Sequence, residues 1–407
     1  MLDILIEEYE EKIWAVALNH GRLDGLEIDP VNETVRYGSI YYAKVERVDT
    51  SLDAVFVDLD GDNTGMLYNK DVRYQDKEGN TCKGGSEPIG KILHPGDMIA
   101  VQAKIAHIAN EDDLWYDENK HAQVSMDITI AGRYLIYCPT LQKNRISQRI
   151  RGKELRKRLE DMIGNLEKMK GFILRSSAAD LQTDILEREA RILKEMWSGI
   201  SQYFEGKEPA LIAMGPDSIQ RILGDKAINP IERIEVVTMD HFTQIEEWCS
   251  IFAPDLVTKI TPVELENAAR DLALLEYRDV LAQIESLFQG YVMLAGGGSL
   301  IIQETAALTA IDVNKGSDKR SRLAVNIDAA KEIGRQMRLR NIGGIIIIDF
   351  LKTNKKDEAL LLKTLDNETY SDPCTVQIHG FTKLGLIEMT RKRRTPSLNK
   401  RFDGITF

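Results

Sequence analysis

Two stretches decide the fold: Leu308-Thr309-Ala310-Ile311-Asp312-Val313-Asn314, and Ile345-Ile346-Ile347-Ile348-Asp349-Phe350. Each is a short apolar run of the kind found in buried strands. Between them, Asn326 to Arg340 spaces its apolar residues as an amphipathic helix does and is closed by Gly343-Gly344. Strand, helix and strand in that order make a βαβ unit, whose crossover sets the two strands parallel and, as neighbours, about 4.8 Å apart. Asp312 and Asp349 stand near the C-terminal ends of those strands, so both carboxylates are delivered to one edge, where α/β folds bind their ligands. Close together at neutral pH they must share a proton or hold a cation, and a hard divalent ion that keeps several waters describes magnesium. Asn314, two residues past Asp312 and on the same side of the strand, is suited to orient a carboxylate or a metal-bound water. An isolated Asp at a strand end more often caps a turn. Here two converge, beside Arg335, Arg338 and Arg340 on the helix and Lys383, Arg391, Lys392, Arg393 and Arg394 further on.

Upstream, Met1 to about Tyr37 reads as short β-hairpins too small to fold alone. From Gly38 to about Ile128 the β signal continues in Ile40 to Val48, Ala54 to Leu59, Gly65 to Tyr68 and Met98 to Ile105, which suggests a small barrel with polar excursions at Gln75 to Pro88 and Glu111 to Glu118. The period turns helical over Gly152 to Met169, overlapping a basic run from Lys143 to Arg158 that read alone is as much a solvated helix face as an RNA contact. A strand at Gly171 to Arg175 and a helix from Leu181 to Trp197 follow. Ala210 to Met214, Ile231 to Val237 and further helices up to Phe288 form a mixed α/β region able to supply partners for the N-terminal strands.

The chain of 407 residues exceeds what one core usually organises, so an α/β multidomain protein is expected. With 53 Lys and Arg against 64 Asp and Glu, the net charge of -11 argues against a protein that coats nucleic acid through its overall field, and any nucleic-acid site must be local. Cys82, Cys138, Cys249 and Cys374 are scattered, with no Cys-x-x-Cys pair, so neither a zinc cage nor a disulfide framework is indicated, and a reducing cytoplasm fits. The acidic N-terminus and the lack of a long apolar run argue against a secretory leader and a membrane span.

The stretches Leu308 to Asn314, Asn326 to Ile333 and Arg338 to Phe350, with Leu384-Gly385-Leu386-Ile387-Glu388-Met389-Thr390-Arg391-Lys392-Arg393, resemble the catalytic part of the ribonuclease E/G family. Ser51 to Asp58 is similar to the same family's oligonucleotide-binding barrel, so the resemblance runs along almost the whole chain. It implies an OB-fold barrel (38–128) inserted in a split RNase H-like part (1–37 and 206–288), a sensor of RNA 5′ ends (129–205) and a DNase I-like catalytic subdomain (289–407). It also implies RNA contacts at Phe56, Lys120, Arg391 and Arg393, and a 5′-phosphate clamp of Arg175 and Ser176 with backbone groups of Gly132 and Ile136. Read without the family, Phe56 is more often a core residue than a stacking platform, and Arg175-Ser176 more often a turn with an exposed charge.

The chain departs from the family pattern in five respects. Met66 stands where a second aromatic is usual, His121 replaces a glycine, Ser176 replaces a threonine, and the loop after Asn314 is shorter. The zinc-linking Cys-x-x-Cys segment of many members is also missing, so no zinc is expected, and any homo-oligomer must pack through ordinary side chains. The function expected is a magnesium-dependent endoribonuclease acting on single-stranded RNA and leaving 5′-phosphate and 3′-hydroxyl ends, with Asp312 and Asp349 on the metal and Asn314 in support. A non-catalytic RNA-binding protein on the same scaffold is the alternative.

Overall fold

The computed structural model describes residues 1–402 apart from 30–32, 77, 80, 109–120, 148–149, 151–152, 166–168, 180, 228, 266–271 and 371. The chain divides into two compact units: Met1–Ile28 with Ile231–Phe242 and Lys259–Phe407, and Asp29–Pro230 with Thr243–Thr258.

The first unit contains two sheets. In one, the strand order is Ile260–Pro262, Ile231–Val236, Leu2–Tyr9, Lys12–Asn19, Arg22–Ile28. Leu2–Tyr9 thus takes Ile231–Val236 as its parallel neighbour, which gives the N-terminal hairpins a sheet. The second sheet has six strands in the order Tyr291–Met293, Ser299–Glu304, Leu308–Asn314, Gly344–Asp349, Ile387–Arg391, Val376–Phe381. Its central pair is parallel and every other pairing is antiparallel.

The helix Arg322–Leu339 makes the crossover, capped where Ser321 Oγ accepts the Ala324 N–H at 3.2 Å. With Lys355–Thr369 it supplies Val325, Ala329, Ile333, Met337, Leu361 and Leu365 to a core shared with Leu300, Ile311, Val313, Ile346, Ile348 and Met389 of the sheet. The isoleucine run is therefore not a doubly buried strand. Burial alternates, with Ile346 and Ile348 inside and Ile345 50% exposed, because the helices cover one face of a sheet that is mostly antiparallel. Asp312 and Asp349 lie on the open face.

In the second unit, Ile40–Asp49, Ala54–Asp58, Thr64–Tyr68, Ala122–Ser125 and Met98–Ala103 follow one another around a sheet that closes where Met98–Ala103 pairs back onto Ile40–Asp49. Thr64–Tyr68 and Ala122–Ser125 are parallel and the remaining pairs antiparallel, a five-stranded barrel consistent with an OB-fold. Ala210–Ala213 does not partner the N-terminal strands as expected; its half-buried and exposed side chains make it an added edge on Ile40–Asp49. A four-stranded sheet of Ile130–Ala131, Leu135–Tyr137, Phe172–Leu174 and Arg145–Ile146 packs with the helices Lys153–Asn165 and Thr183–Ser201 around Leu135, Leu159, Phe172, Leu174, Leu186 and Leu193.

Candidate active site

In the parallel pair the register runs from Leu308 opposite Ile345 to Asp312 opposite Asp349. Lateral partners in a sheet project from the same face, so the two carboxylates leave adjacent strands side by side at the last paired position. Both are exposed. Asn314 Nδ2 donates to Asp312 Oδ2 at 2.8 Å, which holds one carboxylate in place and leaves its second oxygen to other partners.

Asn326 is a residue whose role the sequence did not disclose. Fully buried on the crossover helix, it donates through Nδ2 to the Leu351 carbonyl at 2.7 Å and accepts the Leu351 N–H at 3.1 Å, clamping the chain just past Asp349. The loop after Asn314 is also pinned. Buried Asp318 accepts from Arg320 N and Nε, and Arg320 pairs in turn with Asp328 on the helix at 2.7 Å. Gly316, at φ +51°, runs so close to the Gly297 carbonyl that a Cβ would stand 2.4 Å from its oxygen.

Among the described residues, no cluster of three or more His, Cys, Asp or Glu is assembled to hold a metal. The donors present are two carboxylates and an amide, all oxygen-bearing and open to water. That set fits a hydrated hard cation rather than an ion in a closed protein cage.

The expected basic surround is largely not there. Arg391 is opposite Gly344, at the other end of the six-residue strand from Asp349, roughly 17 Å away. Its guanidinium lies in the interior, 2% exposed, donating to Asp372 at 2.9 and 3.1 Å and to the Ile342 carbonyl at 2.9 Å, so it braces the fold and offers RNA no surface. Arg393 is exposed at that same far end, its side chain lying over Gly343 and Gly344 where any Cβ would collide with it. Arg340 is 1% exposed and bonded to Gln336 and the Gln289 carbonyl, and Arg335 and Arg338 donate to the carbonyls of Leu23 and Glu368.

Of the cations expected around the carboxylates, Lys383 is the one that the strand register brings to their end of the sheet. Ile387 is opposite Ile348, so the turn before it, closed by Thr382 N–H to the Leu386 carbonyl at 2.7 Å, lies at the Asp349 end of the sheet and carries exposed Lys383 and Leu384.

On the barrel, Phe56 lies between Arg47 and Met66 on neighbouring strands. It is 8% exposed, with the Arg47 guanidinium carbon 4.2 Å from its ring centroid and the His121 ring perpendicular to it, centroids 5.1 Å apart. Lys120 lies outside the described residues.

Of the expected 5′-phosphate clamp, Arg175 and Gly132 are brought together. Arg175 donates to the carbonyls of Gly132 at 2.8 Å and Gly224 at 3.0 Å, with Asp225 3.7 Å away. The buried Gly132 N–H is given to the Leu135 carbonyl, Ile136 is paired with Ile173 in the sheet, and Ser176 opens a short 3₁₀ turn. The N–H groups that do converge belong to Arg133, Tyr134 and Leu135, all on the carboxylate of Glu189.

Residues 129–394 match the model of the ribonuclease E/G family. Ribonuclease G of Salmonella typhimurium (strain SL1344) and ribonuclease G of Escherichia coli (strain K12) are each 30% identical over 377 residues, 89% of this chain and 73% of theirs. Ribonuclease E of Haemophilus influenzae is 30% identical over 412 residues, 98% of this chain and 42% of its own.

Proposed function

Because the chain belongs to the ribonuclease E/G family, we propose that it is an endoribonuclease of RNA processing or turnover, hydrolysing single-stranded RNA with magnesium at the edge bearing Asp312 and Asp349. The observation that carries this reading is the lateral register of those carboxylates, with Asn314 bonded to one of them. Asp312 and Asp349 would hold the ion, which would supply polarisation of a phosphate oxygen and acidification of an attacking water. Asn314 restricts the Asp312 carboxylate to one orientation, and Asn326 fixes the backbone behind Asp349, so neither carboxylate has to be reorganised when substrate arrives. Lys383 offers positive charge to the phosphodiester. Water rather than the ribose 2′-hydroxyl is the nucleophile in this scheme, which leaves a 5′-phosphate and a 3′-hydroxyl.

The reading extends to the architecture. Residues 1–37 and 206–288 are assigned to a split RNase H-like part, 38–128 to the RNA-binding barrel, 129–205 to a 5′-end sensor using Arg175 and Ser176, and 289–407 to a DNase I-like catalytic subdomain. Lys120 and, away from the carboxylates, Arg393 are assigned to RNA contacts. No helix among the described residues is long and apolar enough to cross a membrane. Four free cysteines suit a cytoplasmic protein that uses magnesium and not zinc, and any self-association is assigned to side-chain packing.

The test is incubation with an end-labelled unstructured RNA. Internal cleavage with magnesium, lost in chelator and restored on adding the ion back, is expected. Binding without cleavage under all metal conditions would leave the non-catalytic alternative.

A further inference from the structure

We propose that the surface on which the barrel stacks an RNA base is the guanidinium plane of Arg47, backed by Phe56 and flanked by His121. This rests on the reading that the barrel binds single-stranded RNA and specifies how it does so. Arg47, Phe56 and Met66 form one row across three adjacent strands. With the Arg47 guanidinium carbon 4.2 Å from its ring centroid and the His121 ring packed perpendicular to it at an interplanar angle of 82°, Phe56 keeps only 8% of its surface open. A base cannot stack on a face that is already covered.

The Arg47 side chain, by contrast, is 62% exposed, and its ion pair with Asp49 is a single 3.5 Å contact from one terminal nitrogen. A guanidinium is planar and weakly hydrated, and it stacks on an aromatic ring through one face while offering the other. Unpaired bases stack on such planes as they do on aromatic rings. Phe56 holds the plane in orientation, so little side-chain entropy remains to be lost on binding, and Met66 at the end of the row supplies a deformable apolar neighbour. The ligand is thus an unpaired nucleobase of any identity, since nothing in the row reads a hydrogen-bonding edge.

The test separates plane from charge. Binding of a short fluorescent oligouridylate to the full chain is measured in chelator, so that nothing is cut, for the wild type, Arg47→Ala and Arg47→Lys across a salt series. Arg47→Ala is expected to weaken binding about tenfold or more, and Arg47→Lys nearly as much, because lysine keeps the charge and loses the plane. An Arg47→Lys variant binding like the wild type would reduce Arg47 to a phosphate contact and overturn the proposal. So would an Arg47→Ala variant that binds as well or more tightly, since the base would then be stacking on Phe56 itself. Absence of RNA binding by the wild-type chain would instead overturn the functional reading on which the proposal rests. Arg47 is exposed, so both variants should fold, which thermal denaturation checks.

Discussion

Replacing Glu189 tests how the proposed 5′-end region is built. Glu189 is 4% exposed, and its two oxygens accept the N–H groups of Arg133 at 2.6 Å, Tyr134 at 3.0 and 3.2 Å, and Leu135 at 2.8 Å. Burial pushes its carboxyl up from the ordinary range, and the bonds from Tyr134, Arg133 and Leu135, with the charge of Arg175, pull it partly back. Glu189→Ala removes every one of these acceptors at once. Each buried N–H left without a partner costs about 1–3 kcal/mol, so a loss of roughly 3–6 kcal/mol is expected after water recovers part of it. Glu189→Gln keeps one acceptor oxygen but turns an amide donor toward the same N–H groups, and should cost roughly 2–3 kcal/mol.

The same turn presents the Gly132 carbonyl to Arg175, so a loosened turn frees Arg175 to move. The folded Gln variant should therefore lose any preference for 5′-monophosphorylated over 5′-hydroxyl RNA while still cutting internally. Urea denaturation followed through the transition of this unit, with cleavage of the two RNAs in parallel, measures both effects. A Glu189→Ala chain within about 1 kcal/mol of wild type would refute the idea that this carboxylate organises the turn.

Other consequences concern the first unit. Asp372→Asn strands the buried Arg391 guanidinium and should destabilise by about 3–5 kcal/mol in urea denaturation, whereas the double change Asp372→Leu with Arg391→Met should cost less, since it removes both charges. Equal losses would show that the pair itself, and not the orphaned charge, carries the effect. His241 is 6% exposed, and burial pulls its imidazole below the ordinary value near 6.5, with Glu8 and Asp240 opposing. The unfolded chain therefore binds more protons in that window, so stability should rise with pH through it and fall as pH drops below about 6.5; His241→Gln should flatten the profile relative to wild type.

What the sequence disclosed and what it hid follow from one distinction. The carboxylate pair was legible because a helix between two apolar runs dictates a parallel crossover, and equal placement of Asp312 and Asp349 near the strand ends then brings them level. The charges were not legible, because a run of basic residues close in sequence to the motif says nothing about strand direction. Ile387–Arg391 returns antiparallel, which carries Arg391 and Arg393 away from the carboxylates and brings the turn at Lys383 up to them. Arg340 and Arg391 read as surface residues by type and are buried by pairing, with partners such as the Gln289 carbonyl and Asp372 that no local pattern links to them. Phe56 hid its neighbour in the same way, since Arg47 is opposite it only through a strand pairing that contains an irregularity between Val45 and Arg47. The strand at Ala210–Ala213 had the right composition for a sheet and the wrong sheet was expected, because four apolar residues do not specify a partner.

The central claim is that Asp312 and Asp349 together hold the ion that cuts RNA, and the most direct measurement is cleavage and binding of one labelled RNA side by side for wild type, Asp312→Asn and Asp349→Asn at several magnesium concentrations. Both carboxylates are exposed on a sheet whose core lies on the other face, so the variants should fold. The account predicts cleavage lower by at least about a hundredfold in each, corresponding to several kcal/mol of lost transition-state stabilisation, with RNA affinity unchanged or slightly raised because repulsion of phosphate has been reduced. Wild-type cleavage rates with the same magnesium dependence in both variants would contradict it.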